Sequence, residues 1–263
     1  MEAVRRNASR PPQTRSRRDR TVTIWIGRIE PSMWLEGPWW QEVLPDDVRL
    51  AVLSLGVRRL RPEDLEIAHA QILDKVVALD DEGVDVINVG GSPVVSLHGR
   101  AGHERLLSDI AARTNRPFVT SLQAEFEAIR AVGGRLVLIA SPYPIAQTEK
   151  RVVVLEDEGF AVAGHTSLDI ERNREIAGLA PDRIVSQAVD LARAHPDGDV
   201  LYLPCGSLPV VSVIDRIEAE TGLPVVTNVQ AQIYACLRRA GYDRPIEGYG
   251  RLLRSLGALA TAG

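Results

Sequence analysis

The sequence predicts an α/β protein assembled from two duplicated halves, and two observations carry that prediction. From Thr21 onward, short apolar runs alternate with stretches of helical periodicity, the pattern of a parallel sheet flanked by helices. The chain also repeats itself. Asp199 to Ser212 reads DVLYLPCGSLPVVS and Asp85 to Ser96 reads DVINVGGSPVVS. Downstream of each, Thr221 to Ile233 answers Thr114 to Phe126, with Thr, Pro, Val, Thr, Gln and Ala at the same spacing. Duplicated halves point to a site between them.

The elements follow in order. Val22 to Ile26 and Leu50 to Ser54 are the first apolar runs short enough to be strands. A helix over Pro62 to Asp80 comes next, because Leu65, Ala68, Ile72, Val76 and Leu79 recur at three- and four-residue spacing and make one apolar face. Strands at Val84 to Val89 and Phe118 to Thr120 bracket a helix over Gly102 to Arg113, and a helix over Leu122 to Val132 closes the first half. The second half places strands at Leu136 to Ala140, Ala161 to Ala163, Val200 to Leu203 and Val225 to Thr227. Its helices run over Ile145 to Glu158, Asp182 to Ala194, Pro209 to Glu220 and Val229 to Ala240.

Composition bounds the rest. The 263 residues are 45% hydrophobic and 25% charged, enough for a sizeable core in one large domain or two small lobes. No run approaches the roughly 18 apolar residues of a membrane span, and the Arg-rich start has no secretory apolar core, so a cytoplasmic location is expected. The first twenty residues carry seven Arg against Glu2 and Asp19, and with so few apolar side chains they are read as a disordered basic tail. No aromatics interleave those arginines and the body is acidic, which argues against a nucleic-acid partner. Two cysteines make no disulfide framework, and neither CxxC nor HExxH is present, so no structural metal is expected. The five histidines are scattered, and none is assigned as a base.

Cys205 is the candidate catalytic group. Ligands in such sheets bind outside the carboxyl ends of strands, where Cys205 follows Val200 to Leu203 in a Pro-Cys-Gly-Ser loop. A helix opened by Pro209 is expected to favour thiolate there, and Gly206 lets the backbone approach a ligand. The repeat sets Gly90 or Gly91 opposite Cys205, so only one half carries a thiol. Cys236, in QAQIYACLRRAG, reads as core on an amphipathic helix.

These residues resemble the aspartate/glutamate racemase superfamily, and within it the arylmalonate decarboxylase and maleate isomerase branch. The likeness covers about Thr21 to Leu253 and rests on IGRIEPS, VGGS, ASPY, PCGS and GYGRLL in that order. It implies two flavodoxin-like lobes related by a pseudo-twofold axis, substrate held between them, and neither metal nor organic cofactor. On that basis the chain divides into a tail over 1–20, an N-terminal lobe over 21–133 joined by a returning C-terminal segment, a second lobe over 134–250, and a tail over 251–263. Racemases and maleate isomerases of this kind use one cysteine per lobe, whereas here the first-lobe position looks like Gly90. The isomerase pattern also has Asn after Pro-Ser, where this chain reads Pro31, Ser32, Met33, Trp34. Both departures point toward arylmalonate decarboxylase, which keeps only the second-lobe cysteine and surrounds one carboxylate with apolar side chains. Its Gly-Thr-Ser loop becomes Gly90, Gly91, Ser92, its Cys-Gly-Gly becomes Cys205, Gly206, Ser207, and Asn173 follows the isomerase pattern.

The expected function is therefore cofactor-independent decarboxylation of an aryl- or alkyl-malonic acid. Its enediolate would be held by Tyr143, Ser92, Ser207 and the backbone N–H groups of Gly91 and Gly206. Neutral Cys205 would then deliver a proton to one face, bound dianion offsetting the expected helix effect. Pro31 is expected to shape the pocket loop. The alternative is a maleate isomerase or amino-acid racemase of the same superfamily. A small carboxylic acid is the expected partner, and the oligomeric state is left open.

Overall fold

The computed structural model describes residues 24–31, 35–59 and 61–257. The basic tail, Ser32 to Trp34 and the end of the C-terminal tail lie outside them. Two four-stranded sheets, all parallel where paired, form the frame. The first contains β1 (Ile24–Glu30), β2 (Val48–Ser54), β3 (Val86–Val89) and β4 (Phe118–Thr120) in the order β2-β1-β3-β4. The second contains β5 (Leu136–Ser141), β6 (Ala161–Ser167), β7 (Val200–Leu203) and β8 (Val225–Thr227) in the order β6-β5-β7-β8. Substituting each strand by the one four places later converts one order into the other, so the sequence repeat is a repeat of topology.

Helices fill the connections, as parallel pairing requires. They are α1 (Gly37–Val43), α2 (Pro62–Ala70), α3 (Ile72–Asp81), α4 (Ser92–Val95), α5 (Gly99–Ala111) and α6 (Ser121–Ala131) in the first half. The second half has α7 (Ile145–Asp157), α8 (Asn173–Ala177), α9 (Pro181–Ala194), α10 (Ile214–Thr221), α11 (Asn228–Arg239) and α12 (Gly250–Arg254). The expected helix over Pro62 to Asp80 is two helices: the chain turns at Gln71, yet Leu65, Ala68, Ile72, Val76 and Leu79 all remain buried. The helix expected from Pro209 is also different. A 3-10 turn at Val211–Val213 precedes α10, which starts only at Ile214.

The repeated Thr and Gln have a local job. Thr120 and Thr227 are the N-caps of α6 and α11; each hydroxyl accepts from the N–H three residues on, while Gln123 and Gln230 bond back to the capping N–H. Such a reciprocal box satisfies two orphan donors at a helix start. It fixes the angle at which both helices leave their sheets, and α6 and α11 pack against each other between the two halves. Among the described residues no helix is long and apolar enough to cross a membrane.

Candidate active site

A cavity of about 1020 Å3 opens at the carboxyl ends of both sheets, lined from both halves. Pro31 follows β1, Val57 follows β2, Gly91 and Ser92 follow β3, Tyr143 follows β5, Asn173 follows β6, and Cys205 to Ser207 follow β7. Every expected site residue except Gly90 lines this space.

Cys205 is buried at the cavity wall with φ +94°, a left-handed conformation that non-glycine residues rarely hold. That turn aims the N–H groups of Ser207 and Leu208 at the sulfur, and the Tyr143 phenol hydrogen-bonds it as well. Burial outweighs all three and, with the nearby Glu36 charge, pushes the thiol up to about 11. Cys205 therefore stays protonated at neutral pH. The expected thiolate-favouring helix end is absent because α10 begins nine residues later, after a loop and a 3-10 turn. A neutral thiol thus needs no bound dianion to explain it. Tyr143 is itself held well above its usual value, by burial first and by Cys205 second, so its hydroxyl is a donor. Cys236 is fully buried away from the cavity lining, and burial lifts it to about 12.

The facing loop is closed to a second thiol. Gly90 donates its N–H to the Ile29 carbonyl and continues the strand register rather than facing the cavity. A Cβ there would sit 2.9 Å from the Ile29 carbonyl oxygen and 3.2 Å from an Arg28 nitrogen. Gly91 has φ +87°, and a Cβ on it would lie 2.7 Å from the Pro31 ring. Conformation and the proline together exclude a threonine at that position, which accounts for the lost hydroxyl. Ser92 reaches the cavity, but its hydroxyl donates to Glu125 at 3.0 Å and lies 3.2 Å from the Ser121 hydroxyl. Its proton is committed to protein. Ser207 is buried at the wall beside Cys205, and Asn173 opens α8 with its Oδ1 buried and unpartnered among the described residues.

The sequence reading missed a buried charge cluster beneath these loops. Arg28, with no exposed surface, bonds Asn88 at 2.5 Å, Gln232 at 3.0 Å and Glu30 at 2.8 Å, pairs with Glu36, and stacks over the Trp40 ring at 4.4 Å. Two carboxyls share one guanidinium. Burial raises both, Glu30 to about 7, against the pull of Arg28. Glu36 lines the cavity and its carboxyl rests on the Cys205 loop: a Cβ at Gly206 would be 2.0 Å from its oxygen. A side chain at position 206 would therefore have to displace the Glu36 carboxyl from Arg28, and a second acid stands at the wall. A matching cluster forms around Glu125, which accepts from Ser92 and Asn228 and pairs with Arg151 at 3.3 Å. The available signal was Arg28 and Glu30 interrupting the apolar run IWIGRIE.

Among the described residues no cluster of three His, Cys, Asp or Glu side chains could hold a metal ion. A family model described as arylmalonate decarboxylase matches residues 30–253. The chain is 28% identical over 209 residues to the arylmalonate decarboxylase of Bordetella bronchiseptica, covering 78% of this chain and 86% of that one. It is also 28% identical over 213 residues to the maleate isomerase of Nocardia farcinica, covering 79% and 84%. A liganded arylmalonate decarboxylase in which a Gly is changed to Cys and a Cys to Ser superposes with a TM-score of 0.81 at 27% identity, over 88% of this chain and 98% of that one. The Nocardia farcinica maleate cis-trans isomerase carrying a covalently bound succinylcysteine superposes with a TM-score of 0.75 at 26% identity, over 88% and 98%.

Proposed function

We propose, from the premise that this chain belongs to the arylmalonate decarboxylase family, that it decarboxylates a malonate-type acid without a cofactor, Cys205 supplying the proton. The observation that carries this reading is a single thiol at the cavity wall, Cys205, with the first-half loop holding Gly90 and Gly91 where a Cβ would press on the Ile29 carbonyl and the Pro31 ring. One substrate carboxylate leaves as CO2 and its bonding electrons pass into the remaining carboxylate, giving an enediolate. The Tyr143 hydroxyl, the Ser207 hydroxyl and the backbone N–H groups of Gly91 and Gly206 hold its charge. Each such donor is worth several kcal/mol in a preorganised site. The apolar wall for the departing group comes from Pro31, Leu35, Val57 and Val94. Cys205 then protonates the carbanion carbon and regains its proton from solvent. The two lobes, residues 21–133 and 134–250, each supply one wall. Both cysteines are free, and a thiol acid suits a reducing compartment, so the cytoplasm is the proposed location.

A second reading, an isomerase acting on a maleate-like or amino acid, is favoured by the unpartnered Asn173 oxygen and by the Glu36 carboxyl as a second acid. Incubation with aryl- and alkyl-malonates in D2O distinguishes the two. The decarboxylase releases CO2 and gives product deuterated on one face. Exchange of α-hydrogen or cis-trans conversion without CO2 supports the isomerase instead. Cys205→Ser should lower turnover by about two orders of magnitude or more, as loss of a general acid does, with folding unchanged.

A further inference from the structure

The cavity has room beyond Cys205 and its neighbours, and its exposed lining carries five arginines against the single acid Glu171. Sites for drug-sized ligands run to roughly 300–1,000 Å3, and this one reaches about 1020 Å3. Two loops build the mouth, one after β2 and the other after β6, strands in corresponding positions of the two sheets. The first contributes Arg58, Arg59 and Arg61, the second Arg172 and Arg174. All five are exposed.

What sets these arginines apart is their gathering at one opening. Arg100, Arg216 and Arg239 each meet a carboxylate at 3.0 Å or less. Among the described residues Arg58, Arg59, Arg61 and Arg174 have no carboxylate within ion-pair distance, and Arg172 has only the exposed Glu175 at 3.8 Å. Glu171 is the acid at the mouth, since Glu36 and Glu125 are already paired with Arg28 and Arg151. A chain of net charge −4 thus gathers unpaired guanidinium groups on both sides of one opening. Like charges so placed repel each other, and an anion between them relieves that repulsion. Guanidinium forks match planar carboxylate and tetrahedral phosphate oxygens bidentately.

We propose that this mouth is an anion subsite, and that the substrate is an acid whose end remote from the reacting carboxylates bears a second oxyanion group, phosphate or carboxylate, clamped between the Arg58–Arg61 and Arg172–Arg174 loops. The proposal deepens the decarboxylase reading by naming its substrate class. Binding is measured by calorimetry on the Cys205→Ser protein with butylmalonate, (3-carboxypropyl)malonate and (3-phosphonopropyl)malonate. At least one of the extended acids should bind about tenfold or more tightly than butylmalonate, and the tighter of them identifies the tail. That gain should shrink with added salt. It should also vanish both in Arg58→Gln/Arg59→Gln/Arg61→Gln and in Arg172→Gln/Arg174→Gln, with butylmalonate binding unchanged and circular dichroism showing intact folding. Equal binding of all three acids, no binding by any, or a gain that survives both sets of substitutions overturns the subsite. Absence of CO2 from the unsubstituted enzyme with all three overturns the decarboxylase reading while leaving the binding result intact.

Discussion

Glu36 adds to the effect of burial on Cys205 from the neighbouring loop, and that contribution can be read directly. Burial is the main reason the thiol sits near 11, with the Glu36 charge adding to it. Glu36→Gln should therefore shift the pH profile of thiol alkylation downward, by up to about one pH unit. Glu30 gives a complementary test on stability. Its carboxyl, raised from 4.5 to about 7, holds its proton more tightly in the folded protein than in the unfolded chain. The associated stabilisation is complete below about pH 4.5 and is lost as pH rises through 7. Denaturation measured across that window should show Glu30→Gln losing about 1–3 kcal/mol less than the parent protein. The thiol, its turn and its Gly-Ser neighbours were legible as residues because a strand end followed by Pro-Cys-Gly is a local pattern. Arg28, Glu30 and Glu36 were not, since their meaning lies in partners such as Gln232 that only the fold brings near.

At the level of elements, the closing GYGRLL stretch is explained by what it docks on. Gly250 has φ +85° and lies so close to α10 that a Cβ would be 2.5 Å from the Ile214 side chain. Its N–H donates to Asp215 and the next N–H to Glu218, so two carboxylates on α10 cap the start of α12. Gly250→Ala should cost about 1–3 kcal/mol, seen as a lower midpoint in chemical denaturation. Helix boundaries elsewhere lie within a few residues of the periodic pattern: α9 buries one apolar face, while α6 and α11, packed on each other, are marked at their starts by the Thr120 and Thr227 capping boxes. The Pro209 expectation failed because proline at a first turn is a permissive signal. Leu208, Val210 and Val211 are all buried, and packing them keeps the segment out of regular helix until Ile214.

Across the whole molecule, the duplication was legible and its asymmetry only in part. Aligning the capping boxes sets Glu125 opposite Gln232 and Ser121 opposite Asn228. One half thus keeps a carboxylate, paired with Arg151, where the other keeps an amide bonded to Arg28. Contacts between the halves include the two-pronged Arg239–Glu127 pair at 2.6 and 2.8 Å. Its partly exposed side chains limit its worth, and a double-mutant cycle with Arg239→Ala and Glu127→Ala should return a coupling of about 0.5–1 kcal/mol. The links under the cavity matter differently. Arg28 to Gln232 and Asn228 to Glu125 join the halves among buried side chains. Parting the halves like a clamshell would break both links at once, so together they act as a lock against hinge opening.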